Sequence, residues 1–186
     1  MRTVRRMATL AALPALLLAL AGCTREAGAA AVVGDRRISV AELQAAYRDV
    51  KPLFGADSRV SQADVLMALI AEPYLVEEAG RLGQGVSDFD AGQQFEEVKD
   101  DVPDPSPAAI TAVRAFMAAA TLQSEDRSRE AITRSFQEIG DALDRDGVHI
   151  NPRYGASFNK DDFTLRPSSP NWLVKSSTSS EPSPQP

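Results

Sequence analysis

Residues 61 to 76 read Ser-Gln-Ala-Asp-Val-Leu-Met-Ala-Leu-Ile-Ala-Glu-Pro-Tyr-Leu-Val, and they predict the central helix of the domain. Ser61 and Asp64 have the spacing of a helix start, where the first side chain accepts a hydrogen bond from the backbone three residues on. The apolar residues that follow cover more than one face, which is typical of a helix buried on several sides. Pro73 lacks an amide hydrogen and is expected to kink the helix, and the glycines from 80 to 85 predict its end.

A small strand pair and a first helix are predicted before this central helix. Ala31-Val32-Val33 is a short apolar run and Gly34-Asp35 supplies turn residues, so the segment through Ile38 is expected to form a tiny hairpin or a strand and its return. Ser39 and Glu42 then have the spacing of a capping box. The helix behind them is expected to bury Leu43, Ala46, Tyr47 and Val50 and to end at Pro52 and Gly55.

Two longer helices are predicted after the central helix, beyond a short helix that starts at Ser87. Residues 100 to 107 contain three prolines and three aspartates and are interpreted as a loop or linker. The two helices run from about Pro107 to Leu122 and from about Glu125 to Arg145, and Gly147 stops the second. Their inward-facing residues are expected to be Ile110, Val113, Phe116, Met117 and Ala120 on the first helix, and Ile132, Phe136, Ile139 and Leu143 on the second.

A closing strand is predicted at Val148-His149-Ile150, where apolar residues alternate with a polar one. The motif that follows is Asn151-Pro152-Arg153-Tyr154-Gly155. In it, Tyr154 is expected to pack its ring, Arg153 to pair with a helix acid and Gly155 to allow an unusual backbone angle. A ligand contact at this motif is the alternative. The sequence thus predicts a mainly α (α+β) fold, a bundle of about five helices with a small sheet formed by the N-terminal hairpin or strand and the C-terminal strand.

The N-terminus has the pattern of an export signal. Arg2, Arg5 and Arg6 accompany an apolar run over residues 7 to 21, which is shorter than the ~20 residues that a membrane-spanning helix needs. Small residues then lead to Cys23, the only cysteine of the chain. An ordinary signal peptide with an accidental cysteine is the alternative, and both the general and the twin-arginine export routes stay open.

The segment Leu20-Ala21-Gly22-Cys23 resembles the lipobox of bacterial lipoproteins. The resemblance implies cleavage before Cys23 and acylation of its sulfur and its new amine, for example with palmitate, which would anchor the protein at the extracytoplasmic face of the cell membrane. The organisation expected is a signal peptide over residues 1–22, a tether over 23–30, a folded domain over 31–165 and a disordered Ser/Pro-rich tail over 166–186.

The composition argues against several classes of function. The formal net charge is −6, and removal of the basic N-terminal segment makes it more negative. Such a surface disfavours binding to nucleic acid and electrostatic docking on anionic lipid, so membrane contact is assigned to the lipid on Cys23. Because the chain has one histidine and no thiol besides Cys23, neither a zinc site nor a disulfide is expected.

The sequence offers no group suited to catalysis or to cofactor binding. His149 alternates with apolar neighbours, so it is expected to face solvent or a sheet edge rather than to act as a base. The acid pairs Glu77-Glu78 and Glu96-Glu97 are interpreted as solvated surface, because sequential residues on a helix point about 100° apart. No enzyme activity and no cofactor are therefore expected.

Three segments together, residues 30–43, 64–87 and 148–155, resemble the N-terminal chaperone domain of SurA and PrsA-type foldases, including actinobacterial lipoprotein versions. The resemblance implies a short strand that leads into a helical bundle, and a return through a long helix and a closing strand. The full-length foldases contain inserted prolyl isomerase domains of the parvulin type, each about a hundred residues long. The residues between Val98 and Val148 leave no room for one, so isomerase activity is not expected.

Two functions follow as hypotheses. The first is a membrane-anchored chaperone that binds exported, unfolded or partly folded proteins in an apolar groove between helices, without catalysis. The second is an accessory envelope lipoprotein that docks one specific partner. Candidate contacts for a client or partner are Met67, Tyr74, Met117 and Tyr154, and methionine is suited to this because its flexible side chain adapts to different partners. The oligomeric state and the identity of the client or partner stay open.

Overall fold

The computed structural model describes residues 28–55, 57–155, 157–160 and 164–166. The predicted signal peptide, the acylation site Cys23, most of the tether and the predicted tail beyond Arg166 lie outside the described residues. Within them, the chain forms five α-helices, a three-stranded sheet and a two-stranded sheet, which confirms the mainly α fold. The elements are β1 Ala29–Val33, β2 Arg36–Ser39, α1 Val40–Val50, α2 Gln62–Arg81, α3 Asp88–Gln93, α4 Pro107–Leu122, α5 Arg129–Asp146, β3 Val148–Ile150, β4 Ser157–Asn159 and β5 Thr164–Arg166, with 3-10 turns at Lys51–Phe54 and Gln94–Val98.

Helix α2 lies at the centre of the domain, as its apolar pattern predicts. It starts with Ser61 as N-cap, whose hydroxyl accepts from the amide of Asp64 while the Asp64 carboxylate accepts from the amide of Ser61. The seven consecutive residues 65 to 71 are all buried, and Leu66 and Ile70 have no exposed surface. Burying a leucine or isoleucine fully contributes about 1.5–3 kcal/mol, so this helix supplies a large share of the core.

Helix α2 continues through Pro73 without interruption, because an arginine from the sheet replaces the missing hydrogen bond. A proline removes the donor that would pair with the carbonyl four residues earlier, which is that of Leu69. The Arg36 guanidinium on β2 fills this place: Nη1 donates to the Leu69 oxygen at 2.7 Å and Nη2 to the Ile70 oxygen at 2.6 Å. Burial lowers the pKa of Arg36, and the neighbouring Glu72 opposes that shift. The sequence prediction included the proline but not its arginine partner.

Helix α4 has the predicted bounds but presents a different face to the core. Val113 is buried as predicted, whereas Ile110, Phe116 and Met117 are only half-buried. Ala120 is exposed, so the prediction that Ala120 faces inward was wrong. Almost every residue of α4 is apolar, so hydrophobicity alone does not select one face. The face that packs against the core carries the smaller side chains, because alanines let neighbouring helices approach closely. The buried residues of this face are Ala109, Ala112, Val113, Ala115, Ala118 and Leu122.

Helix α5 begins at Arg129, four residues later than predicted, because Ser128 provides its N-cap. The Ser128 hydroxyl accepts from the amide of Ala131 at 3.2 Å. Ile139 and Leu143 are buried as predicted, and the helix ends at Gly147, whose φ of 75° lies in the left-handed region that favours glycine.

The three-stranded sheet has the order β2-β1-β3 with both pairs antiparallel, so the first strand of the domain pairs with a strand that follows the last helix. Its register places Ala31 opposite Ile150 and Val33 opposite Val148. Strand β1 starts at Ala29, inside the segment predicted as a tether, because Ala29 and Ala30 are small enough to be buried there. His149 is exposed, as predicted.

The motif after β3 meets its structural predictions only in part. The Tyr154 ring is half-buried against the core as predicted, while Arg153 is exposed and makes no ion pair with a helix acid within the described residues. Gly155 does not have a positive φ, so the predicted unusual backbone angle was wrong. It is required by close approach, because a Cβ there would lie 3.1 Å from the Leu165 Cβ and 3.2 Å from the Arg166 oxygen.

Candidate functional site

A narrow apolar groove lies between α2, α4 and α5 and is the candidate binding site. Its volume is about 220 Å³. On α2 the lining residues recur at intervals of three and four, which places them on one face of the helix. The lining consists of Asp64, Met67, Ala68, Ala71 and Leu75 from α2, Ala115, Phe116, Ala119 and Gln123 from α4 and its C-cap, and Phe136 from α5.

Small and large side chains have different roles in this groove. Ala68, Ala71 and Ala115 are buried and form a floor that lets the cleft extend between the helices. Phe116 and Phe136 are only half-buried, so the walls keep apolar surface accessible. The apolar surface continues beyond the groove, because Phe116 meets Phe54 edge to face with ring centroids 5.6 Å apart, and Phe54 is 44% exposed.

A hydrogen-bonded cluster next to Phe136 fixes α5 to α2 and so fixes the groove wall. The neighbouring Ser135 donates from its hydroxyl to Glu78 Oε1 at 2.7 Å. Arg81 donates to both carboxylate oxygens of Glu78 at 2.8 Å, and Arg127 donates to the Ser135 hydroxyl at 3.1 Å. The Arg81 guanidinium holds the pKa of Glu78 below its usual range, against the effect of burial and with help from Ser135.

Glu78 therefore corrects one sequence interpretation. The pair Glu77-Glu78 was expected to be solvated, but only Glu77 is exposed, and Glu78 is 7% exposed within this cluster. Glu96 and Glu97 are exposed as expected.

A second ion cluster holds α4 against α2 on the opposite wall. Arg114 donates to the buried carboxylate of Glu72, with an Nε to Oε1 distance of 2.8 Å, and also pairs with Asp88 at the start of α3. The contact between Glu72 and Arg114 lies towards one end of the segments of α2 and α4 that line the groove. Asp64 and Gln123 lie towards the other end, so the two helices run antiparallel along the groove. Asp64 and Gln123 thus share one end of it.

The structure does not bring the four predicted contact residues together. Met67 lines the groove, but it is only 8% exposed. Met117 lines a separate depression of about 470 Å³ with Gln84 and other polar residues. The Tyr74 hydroxyl donates to Asp146, and burial together with that carboxylate raises the pKa of Tyr74 to about 12. Tyr154 lies beside the sheet.

The two aromatic walls of the groove were predicted as core residues. Phe116 and Phe136 were expected to face inward, and their helical spacing is compatible with both a core position and a groove wall. Only the packing of three helices, with alanines where they meet, leaves the two rings partly exposed. No signal in the sequence distinguishes these cases.

Two further depressions of the described chain show no evident chemistry. His149 lies in one of about 440 Å³ on the sheet, where the described lining residues include no carboxylate and no nucleophilic side chain. Another depression, of about 590 Å³, lies between β2, α1 and the start of α4 and includes Arg36, whose guanidinium is already engaged. Within the described ranges, no group of three or more His, Cys, Asp or Glu side chains is placed to hold a metal ion.

In the part of the chain that the structure describes, no helix combines the length and the apolar character needed to cross a membrane. When the chain is compared with protein-family models, with curated proteins and with solved structures, it matches none of them.

Proposed function

We propose that this chain is a membrane-anchored, extracytoplasmic lipoprotein that holds exported, unfolded or partly folded proteins with a SurA N-terminal-like chaperone domain and without catalysis. The observation that carries the proposal is the open apolar groove between α2, α4 and α5, with Phe116 and Phe136 as partly exposed walls. Rigid helices hold this apolar surface open, and an unfolded chain can offer it apolar side chains.

The size of the groove supports a polypeptide client rather than a small molecule. Pockets for small ligands have volumes of about 300–1,000 Å³. The groove, at about 220 Å³, is below that range. It suits a side chain presented by a longer chain, and its apolar lining gives it little dependence on the client's sequence.

The proposed anchor would keep the groove near the membrane. Strand β1 begins at Ala29, only six residues after Cys23. Six residues span at most about 22 Å when fully extended. A lipid on Cys23 would therefore hold the domain close to the surface where exported chains emerge.

The second candidate, an accessory lipoprotein for one fixed partner, is favoured by a different residue. Phe89 on α3 is 73% exposed and does not line the groove. Aromatic side chains, phenylalanine included, are enriched at the core of protein interfaces. A partner that covers α3 would explain Phe89 without using the groove.

An aggregation assay with a matched pair of variants tests the first proposal. A chain that starts at Thr24 should slow the aggregation of several unrelated unfolded proteins. Ala119→Phe fills the groove and should remove most of this effect, whereas Ala120→Phe adds the same ring at an exposed position of the same helix and should preserve it. Proline isomerisation of a test peptide should stay at background. If the wild-type chain protects no client and one envelope protein co-purifies with it, the second candidate replaces the first.

Membrane fractionation tests the anchor. Cys23→Ser removes the sulfur that would be acylated, so the folded protein should move from the membrane to the soluble fraction. The circular dichroism spectrum should be unchanged, since every described element begins at or after residue 29. A processed Cys23→Ser protein that stays in the membrane fraction contradicts the lipid anchor.

A further inference from the structure

The polar part of the groove lining is confined to one end and carries a negative charge. Asp64 and Gln123 share that end, and Asp64 is the single charged residue of the lining among the residues that the structure describes. The Asp64 side chain is exposed, and the amide and the hydroxyl of Ser61 both donate to its Oδ2 at 2.8 Å. Within the described residues no hydrogen bond reaches its Oδ1, which can accept from a further donor. The groove is therefore apolar along its length and anionic at one end.

The volume of the groove sets how much of a client it can hold. A cavity of about 150 Å³ lined by apolar side chains is large enough for benzene. At about 220 Å³, the groove has room for one large apolar side chain and little more. Met67 is one of its lining residues, and a methionine adapts its rotamer to anchors of different shape.

The distance between the middle of the groove and Asp64 determines which position of a bound segment would carry a cation. The α2 lining runs from Asp64 to Leu75, which is about 16 Å along the helix axis, so the middle lies about 8 Å from Asp64. Two residues of an extended chain span about 7 Å, and residues two apart point to the same side. A basic residue two positions from the anchor would place its cation beside Asp64.

We infer that the groove selects extended segments in which one large apolar side chain and a lysine or arginine stand two residues apart, with the cation on Asp64. This inference rests on the proposed function and names the class of segment that the site prefers. Because the described lining holds one acid and no basic side chain, the preference opposes segments with an acid in the same position.

Four labelled peptides test the inference by fluorescence anisotropy with the chain that starts at Thr24. The parent peptide is a Gly/Ser-rich nonapeptide with leucine at position 4 and lysine at position 6. The others replace lysine with glutamate, replace lysine with glutamine, or replace leucine with serine. We expect the lysine peptide to bind about tenfold more tightly than the glutamate peptide at low salt, because a tenfold ratio corresponds to the ~1.4 kcal/mol expected when an attractive exposed charge pair replaces a repulsive one. The leucine-to-serine peptide should not bind.

A matched pair of variants assigns the preference to one carboxylate. Asp64→Asn removes the charge and keeps an oxygen for the helix start, so the lysine and glutamate peptides should then bind within about twofold of each other. Asp90→Asn makes the same change at the equivalent helix-start position of α3, outside the groove, and should preserve the tenfold ratio. The ratio should also shrink in high salt, a measurement that needs no variant.

The outcomes separate the inference from the proposed function. If the lysine and glutamate peptides bind equally while the serine peptide does not bind, the groove binds apolar anchors and the charge preference is overturned. If Asp64→Asn keeps the tenfold ratio, another group supplies the preference and the inference is wrong. If no peptide binds at any salt concentration, both the inference and groove binding fail.

Discussion

Arg36 and Pro73 show how one residue compensates for another across the fold. Pro73 leaves the Leu69 carbonyl without a helical donor at a buried part of α2, and an unsatisfied buried carbonyl is costly. Arg36 meets this carbonyl and the next one with two short hydrogen bonds. The interaction also ties β2 to the middle of α2, so the same side chain repairs the helix and docks the sheet.

Replacing Arg36 with methionine should lower the free energy of unfolding by about 2–4 kcal/mol, because two buried carbonyls lose a charged donor. Urea denaturation at neutral pH measures it. Arg153→Met removes an exposed arginine that makes no ion pair within the described residues, and it should cost less than about 1 kcal/mol. In a Pro73→Ala background the restored amide can pair with Leu69, so the Arg36→Met cost should fall. An unchanged cost there contradicts the link between the two residues.

Tyr154 carries an unusual polar atom. Its hydroxyl is buried and has no hydrogen-bond partner within the described residues. Tyr154→Phe removes this oxygen and keeps the ring, so the melting temperature should stay the same or rise slightly. Tyr154→Ala removes the half-buried ring and should cost about 2–4 kcal/mol, somewhat less than a fully buried aromatic. A loss of more than 1 kcal/mol in Tyr154→Phe would show that the hydroxyl is satisfied after all.

At the scale of elements, polar clusters set the arrangement of the helices around an apolar floor. Glu78 with Ser135 fixes α5 to α2, and Glu72 with Arg114 fixes α4 to α2. Both carboxylates are buried, and each is satisfied by an arginine. The groove lies between these two attachments, so its width depends on hydrogen bonds that the helical periodicity does not encode.

Glu78→Gln should destabilise the protein by about 1–3 kcal/mol at pH 7, because a buried charged acceptor is lost. The pKa of Glu78 is lower in the folded protein than in the unfolded chain, where it is about 4.3. The carboxylate therefore stabilises the fold above that value, and its contribution disappears as the pH falls through the lower folded pKa. The stability difference between wild type and Glu78→Gln should shrink accordingly in urea titrations below pH 4.

The adjacent Glu77 provides the matched control for this pH dependence. Glu77 is exposed, so Glu77→Gln should change the free energy of unfolding by less than about 0.5 kcal/mol. If Glu77→Gln and Glu78→Gln behave alike between pH 3 and pH 7, the buried cluster does not contribute as described.

The helices and their start signals could be predicted from local sequence, and the site could not. Ser39, Ser61 and Ser87 each form the predicted start of a helix, since a cap depends only on residues three apart. The buried face of α4 and the position of Phe136 depend on which helix approaches which, and an apolar sequence fits several such arrangements. Arg36 bonds to residues more than thirty positions away, which no local pattern reveals.

At the scale of the whole molecule, one apolar core joins the first strand, the helices and the C-terminal hairpin. Buried residues from β1, α1, α2, α4 and α5 belong to a single cluster, and Phe158 and Leu165 of the hairpin pack against it. Residues after α5 are therefore part of the domain. The C-terminal limit of the folded domain, set at residue 165 from the sequence, stays a prediction.

Two truncations test that limit. A chain that ends at Arg166 keeps every described element and should match the full chain in urea midpoint and slope. A chain that ends at Gly147 loses β3, β4 and β5 and uncovers one edge of β1, so its midpoint should fall clearly and its slope should decrease. Equal stability of the two truncated chains would place the C-terminal strands outside the cooperative unit.

The pairing of β1 with β3 also has a consequence for biosynthesis. Val33 is made more than a hundred residues before its partner Val148. At about 5–20 residues per second, the ribosome needs on the order of 10 s to reach the closing strand. Until then one edge of β1 has no partner, and an open edge invites pairing with other chains. A chain that has not reached residue 148 therefore carries an open sheet edge, and a ribosome stalled before that residue would keep the edge unpaired.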